Sequence, residues 1–448
     1  LPWNLLRLAG PMAADSAIRS LYNLADAFWL GRWGKAGLAA PGVSMPFFFI
    51  AIAFGMGFGN AGTSVVSQYT GAKRYRQADR AAAQTLLLLC GLALLFAVPL
   101  IVFTPQLLNL AQVPADARAQ AVPYLRVLSF GMPFIAFNIA YGSILRALGD
   151  TVTVLIIGGI NNVINIVLDP FLIFGWGGLP EMGAAGAAVA GLISVGIGSV
   201  ISYIFLRRGR AGLRVRLRDF KPDWPILRRI LSIGFPAALN NSSTSVGFTI
   251  LQVMINTLGT TVIGAFTVGF RVIFFFNIPT YAMSAAAAPV VGQSLGAGRP
   301  RLARRSVWLS AGLIAAIMFL PAVLLTWQGG TVAAAFSDSP GVVREARKFF
   351  LLMPLSSYFF GVLMVLMAAF YGSGHTRPAM VVGLLRSFAL RLPIAYGLAF
   401  LAGWGSMGIY AGWITGNVTC ALLTLYLFYR GGWETPTVET DPPPTPES

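Results

Sequence analysis

The sequence predicts an all-α polytopic membrane protein: twelve transmembrane helices in two pseudo-symmetric six-helix lobes. Three observations carry that expectation. Hydrophobic residues make up 56% of the 448-residue chain and charged residues only 10%, against roughly 25% charged in soluble domains. Mean hydropathy is +0.73, and the apolar residues fall in runs of about 20 to 28, the length that spans about 30 Å of hydrocarbon as helix and not the alternating pattern of a membrane barrel. Finally, the second half of the chain repeats the first.

The first span, about 5–31, carries Pro11, an Asp15/Arg19 pair one turn apart, and Tyr22 and Asp26 in the run YNLAD. Spans at 43–70, 81–104, 120–146, 152–175 and 183–207 complete an N-lobe, residues 1–207. A basic linker, 208–228, leads to spans at 229–258, 263–295, 302–327, 346–372, 378–401 and 406–430, a C-lobe ending near residue 432. The tail 433–448 (WETPTVETDPPPTPES) is proline-rich and acidic and is expected to be disordered and cytoplasmic. No cleavable leader is expected, because the first apolar stretch is long enough to be a span.

A net charge of +17 does not point to nucleic acid, because the basic residues cluster in connections between spans. Lys73, Arg74, Arg76 and Arg80 follow the second span. Arg207, Arg208, Arg210, Arg214, Arg216, Arg218 and Lys221 follow the sixth, and Arg299, Arg301, Arg304 and Arg305 the eighth. All three groups fall on one side, which the positive-inside rule makes cytoplasmic, along with both termini. The opposite side is sparser, with Arg32 and Lys35, Asp116 and Arg118, and Glu181, and a mixed cluster from Asp338 to Lys348. Cys90 and Cys420 both fall inside spans, so no structural disulfide is expected. His375, the one histidine, has no partner for metal binding or triad chemistry, and no cofactor or enzymatic constellation is expected.

The repeat is parallel. Val65 to Arg80 (VVSQYTGAKRYRQADR) matches Val290 to Arg305 (VVGQSLGAGRPRLARR) at a shift of 225. The same shift pairs Gly149 and Thr151 with Gly374 and Thr376, Met182 and Gly183 with Met407 and Gly408, and Gly191 with Gly416. Halves of this kind imply a pseudo-two-fold axis along the membrane normal and a substrate path between two bundles.

A repeat is its own control, because a feature needed only for the fold tends to occur twice. The fifth span reads NNVINIVLDPFLIF from Asn161 to Phe174, and at the shift of 225 Asn165, Asp169 and Pro170 fall opposite Leu390, Ile394 and Ala395. Asp26, after a three-residue loop shortening, falls opposite Met254. Both acids are therefore confined to the first half. On a helix Asn162, Asn165 and Asp169 share a face, and Pro170 frees the carbonyl of Ile166. Asp26 and Asp169 lie roughly 6 to 8 Å from the same end of their spans. Two carboxylates in a low-dielectric pocket cannot both stay charged cheaply, so a proton or a bound cation is required. Asp26, Asn165 and Asp169 could hold sodium, with Tyr22 and Asn162 beside them. The bland alternative is polar glue between helices.

Other intramembrane polar residues carry less. Asp15 and Arg19 read as a self-neutralising pair. Arg271, Arg386 and Arg391 read as snorkelling or hydrogen-bonded side chains, with contact to an anionic substrate group as the alternative for Arg386 and Arg391. Pro11 reads equally as a static kink or a hinge. Met254, Phe274, Met283, Met364 and Met367 could line an adaptable apolar chamber, against ordinary packing.

The runs YNLADAFWLG, VSQYTGAKR, LDPFLIFG, MGAAGAAVAG and the second copy VGQSLGAGR resemble the multidrug and toxic compound extrusion (MATE) family over nearly the whole chain. The resemblance implies a MATE/MOP-type fold and cation-coupled export of small organic compounds by alternating access, by a protein expected to be a monomer in the inner membrane. The chain looks most like the DinF-like branch. Asp26 and Asp169 match that branch's two N-lobe acids, Asn165 its accompanying asparagine, and Pro11 the proline proposed to bend helix 1. The C-lobe acids of the NorM-like branch have no counterpart between Asn240 and Leu258 or between Phe349 and Gly372. Gly191 stands where many members have a threonine near the cation site, which favours protons over sodium as the coupling ion. The rival expectation is a lipid or lipid-linked oligosaccharide flippase of the same superfamily.

Overall fold

The computed structural model describes residues 2–33, 35–110, 113, 115–209, 212 and 215–439. Arg210, Arg214 and residues 440–448 lie outside the described residues, as do the side chains of Asn23, Lys35 and Asp116.

The described chain is helical throughout. The helices are α1 (Pro2–Trp33), α2 (Lys35–Gly71), α3 (Tyr75–Leu110), α4 (Ala115–Leu148), α5 (Thr151–Phe174), α6 (Ala184–Arg207) and α7 (Trp224–Asn256). The second half continues with α8 (Thr260–Phe276), α9 (Ile278–Gly296), α10 (Pro300–Ala334), α11 (Pro340–Ser373), α12 (Thr376–Leu384), α13 (Leu392–Tyr396) and α14 (Ser406–Arg430). α8 and α9 form one rod, as do α12 and α13, which are joined by a π-helical turn at Leu385–Arg391 and followed by another at Gly397–Leu401. Twelve rods result, at the expected spans. Ten of them are long and apolar enough to cross a membrane. α1 and α7, at 32 and 33 residues, have the length but a more polar composition.

The chain divides into two compact units, residues 14–238 and residues 1–13 with 239–448. These bounds differ from a division at the linker, and they differ symmetrically, because the two cuts are themselves 225 residues apart. α1 gives its first turns to the second unit, where Ala9 packs with Ala282, Met283, Ala286 and Ile314. α7 gives its first turns to the first unit, where Gly234 lies against Phe58 and Ala238 against Gly57. Pro11 and Pro236 stand at matching places just before the cuts.

Within each unit the same neighbours pack. In the first, α4 lies against α2, α3 and α6, and α5 against α6; in the second, α11 lies against α9, α10 and α14, and the α12–α13 rod against α14. The turns correspond as well. Gly149 and Gly374 are both left-handed, at φ 85° and 82°. Gly183 and Gly405 enter α6 and α14 at φ 58°, ψ −134° and φ 56°, ψ −134°, a conformation that strains any side chain.

The linker is docked: Asp219, in a short 3₁₀ turn (Leu217–Phe220), takes a bidentate ion pair from Arg76 on α3 at 3.0 and 2.7 Å, and Gln84 donates to the carbonyls of Asp219 and Lys221, both at 2.8 Å. One sequence expectation is corrected beyond the last helix. Tail residues 433–439, expected to be disordered, pack against the helices. Trp433 is 1% exposed, stacks on Phe428 and donates to its carbonyl, and Glu434 pairs with Arg304 at 2.8 Å. One large apolar indole outweighed the polar and proline-rich composition around it.

Candidate cation-coupling site

α5 and α6 pack through small residues. Gly186 lies directly on the backbone of Leu172 and Ile173, leaving no room for a Cβ. The loop between the helices closes back on α5, with Met182 and Gly183 N–H donating to the carbonyls of Leu172 and Ile173, both at 3.1 Å. That satisfies backbone acceptors near Pro170 that the helix itself leaves open. α5 runs through Pro170 to Phe174 and ends at a left-handed Gly175.

This packing buries the polar face of α5. Asp169 is 0% and Asn165 3% exposed. With its amide oriented to satisfy both ends, Asn165 donates to Asp169 Oδ2 at 3.1 Å and accepts from the Gly191 N–H at 2.8 Å. A Cβ at Gly191 would come within 3.6 Å of the end of the Asn165 amide that faces α6. Asp169 Oδ1, Asn161 Oδ1 and Asn162 Nδ2 are buried with no hydrogen-bond partner among the described residues. Asn161 lies against Gly198 of α6.

Tyr22 and Asp26 on α1 come close enough to Asp169 to interact with it electrostatically. The structure thus brings together Tyr22, Asp26, Asn165 and Asp169 and places Asn162 one turn away. It adds Tyr124 of α4, 3% exposed and within electrostatic range of both acids. Sequence reading missed Tyr124 because nothing in the local run around it differs from ordinary core. A group of three or more acidic, histidine or cysteine side chains able to hold a metal is not found among the described residues.

Asp15 and Arg19 pair within α1 at 3.0 Å, as their spacing predicts. The apolar chamber needs correction. Met254 (9% exposed), Met283 (2%) and Met367 (1%) are packed in three separate core clusters of the second unit, and Met364 lies partly buried against one of them. Phe274 is exposed. Unbranched thioethers fill gaps between crowded small residues there, so these five do not converge on one lining.

Comparison with known proteins fits this architecture. A "Probable multidrug resistance protein NorM" of Thermotoga maritima is 27% identical over 443 residues, 96% of this chain and 92% of that protein. Solved structures described as "MATE in the bent conformation" and "MATE in the straight conformation" superpose at TM-scores of 0.88 and 0.88, each with 26% identity. The first covers 95% of this chain and 94% of its own, the second 96% and 95%. The MatE family model matches residues 11–171 and again 236–397, one copy per half. The chain therefore belongs to the MatE family, whose members are multi-pass membrane transporters and not enzymes.

Proposed function

We propose that the chain is a proton-coupled efflux antiporter that exports organic compounds, cationic or amphipathic, by alternating access. It works as a monomer in the cell's inner membrane with both termini cytoplasmic. The observation that carries this reading is the fully buried Asp169, held by Asn165 and within electrostatic reach of Asp26. A buried carboxylate with a free oxygen beside a half-buried one must gain or lose a proton or cation as its surroundings change, and the charge of the pair then biases how α1 and α5 pack. The multidrug-resistance name of the Thermotoga relative supports a drug-like substrate. The acids' confinement to the first half supports the DinF-like branch.

Protons are favoured over sodium by the donor geometry. A sodium ion needs several oxygens pointed at it. The Asn165 oxygen is engaged by Gly191 N–H and its nitrogen faces Asp169, so the amide acts towards the carboxylate as a hydrogen-bond donor and not as a fellow ligand. The solved bent and straight relatives support a conformational cycle.

The test is efflux of a fluorescent organic cation by proteoliposomes under proton and sodium gradients imposed separately. A proton gradient should drive transport in the wild type, and Asp169→Asn at equal incorporation should lower the rate by at least about tenfold. Sodium-driven transport without a proton gradient would overturn the choice of ion. Undiminished proton-driven transport by Asp169→Asn would overturn the site.

A further inference from the structure

The second unit has its own buried polar site at the place corresponding to the acid cluster, and its charge is opposite. Gly374 follows Gly149 by 225 residues, whereas Gly405 follows Gly183 by 222 in the same unusual conformation. The register therefore changes in between, and the π-helical turns are where it changes, because each accommodates an extra residue relative to the α ladder. Past the first of them the shift is 226: Gly186 abuts the backbone of Leu172 and Ile173, and Gly408 abuts that of Leu398 and Ala399. The pairing at a constant 225 is thus corrected. Asn165 corresponds to Arg391, not Leu390, and Asp169 to Ala395. Asn161 corresponds to Arg386, at the start of the turn before the register has changed. Asn161 packs on Gly198, and Arg386 interacts with Cys420, which is Gly198's counterpart at the α6-to-α14 shift of 222.

The π-helical turn also makes the two arginines a pair. Residues five apart on an α-helix point about 140° away from each other, but the wider i→i+5 turn narrows that angle and brings them towards one face. Arg386 and Arg391 are 2% and 3% exposed, mid-way along the 26-residue Thr376–Leu401 rod, where a side chain cannot reach either membrane surface. The Arg386 guanidinium lies 5.4 Å from the Phe360 ring and the Arg391 guanidinium 4.7 Å from the Trp413 ring. Arg386 Nη2 donates to Thr244 Oγ1 at 3.0 Å. Arg391 Nη2 donates to Asn417 Oδ1 at 3.1 Å, and Asn417 is fixed in turn by Ser356 Oγ at 2.9 Å. Arg386 Nε and Nη1 and Arg391 Nε are buried with no hydrogen-bond partner among the described residues, as is Ser387 Oγ. Neither arginine has a salt bridge to an acid among them.

Two buried cations with three unpartnered guanidinium nitrogens and no counter-charge call for an anion. We propose that Arg386 and Arg391 form an oxyanion site in the second unit that binds a carboxylate or phosphate group. The fork of guanidinium donors fits an oxyanion's planar or tetrahedral edge. The rings of Phe360 and Trp413 hold the guanidinium planes in place, and the Asn417–Ser356 and Thr244 contacts fix their direction. The group is supplied either by a free small oxyanion or by an anionic arm of a transported organic molecule. The proposal is independent of the coupling ion, since Asp26 and Asp169 take no part in it.

The experiment measures thermal stability of purified full-length protein at constant ionic strength and pH, titrated with inorganic phosphate, acetate, dansyl-glycine and the neutral dansyl-glycinamide. Dansyl-glycine binding is followed in parallel by fluorescence. Expected is a rise in melting temperature with at least one oxyanion and none with dansyl-glycinamide. A rise with phosphate or acetate identifies a free oxyanion, and a rise confined to dansyl-glycine identifies a substrate arm. Arg391→Gln and Arg386→Gln should each weaken the response at least tenfold, whereas Gly196→Ala, at a position facing open space on α6, should leave it intact. Wild-type protein indifferent to all three anions, or equally responsive to the neutral amide, overturns the proposal without reference to any variant. So does an unchanged response in both arginine variants.

Discussion

Asp219 shows how one side chain turns a connection into a structural part. It is 4% exposed and sits between the α6 and α7 rods, outside the membrane-spanning segments. Burial pushes its pKa up, but the backbone N–H of Arg216 and the Arg76 guanidinium, with Arg218 nearby, outweigh burial and hold the carboxyl below its ordinary value. A group with a depressed folded value contributes stability that is complete above its unfolded value, roughly pH 4, and is lost as pH falls through the folded one. The linker should therefore stay docked at neutral pH and loosen only in acid. Asp219→Asn should loosen it at pH 7, at a cost of about 2 kcal/mol, less than the 3–5 kcal/mol of a fully buried pair because the Arg76 end is open to solvent. Limited proteolysis of the 208–228 segment checks this. Equal protection in wild type and variant at pH 7 would remove Asp219 as the latch. At the same scale, the acids Asp26 and Asp169 were legible from sequence, because a carboxylate in an apolar span has few uses. Asp219 was not, because in a basic linker an acid reads as ordinary solvated charge until Arg76, far away along the chain, is seen beside it.

At the scale of elements, the packing of α5 on α6 decides the geometry of the coupling site. A Cβ at Gly186 would collide with the Leu172 and Ile173 backbone, whereas Gly196 faces open space. Gly186→Ala must push the helices apart near the Asn165–Gly191 contact, an overpacking cost of about 1–3 kcal/mol. Gly196→Ala should be neutral or stabilising by up to about 1 kcal/mol through helix propensity. The expected outcome is a lower melting temperature and slower proton-driven efflux for Gly186→Ala alone, although no acid has been touched. Equal behaviour of the two variants would show that close approach of α5 and α6 is not required. Helix positions and span lengths were legible in the sequence because hydrophobic length reports them directly. The π-helical turn at Leu385–Arg391 was not, since its composition is that of any apolar helix. Missing it displaced the register by one residue and hid Arg391 behind Leu390. Pro11 gains a context too: Pro236 stands 225 residues later, at the equivalent cut between units. A proline present in both halves belongs first to the way α1 and α7 each serve two units.

For the whole molecule, the repeat extends past the last helix of each half into its exit segment. After α6 the chain returns to the start of α3 through Asp219 and Arg76, and after α14 it returns to the start of α10 through Glu434 and Arg304. Each half thus fastens its exit segment to its own third helix by an ion pair at the basic repeat motif. By the positive-inside rule the charges left over in those motifs would place this side in the cytoplasm, and α10 offers a direct test of it. Arg301 and Asp338 are exposed at its two ends, separated by a 35-residue helix about 52 Å long, more than enough to cross about 30 Å of hydrocarbon. In a background with Cys90 and Cys420 replaced, a membrane-impermeant thiol reagent added to intact cells should label Asp338→Cys. It should label Arg301→Cys only after the cells are opened. Cys420 is buried and Cys90 half-buried, so replacing them should disturb little at the surface. Labelling of Arg301→Cys in intact cells would invert the orientation, and with it the side from which the proposed proton-coupled cycle would load the Asp26–Asp169 site.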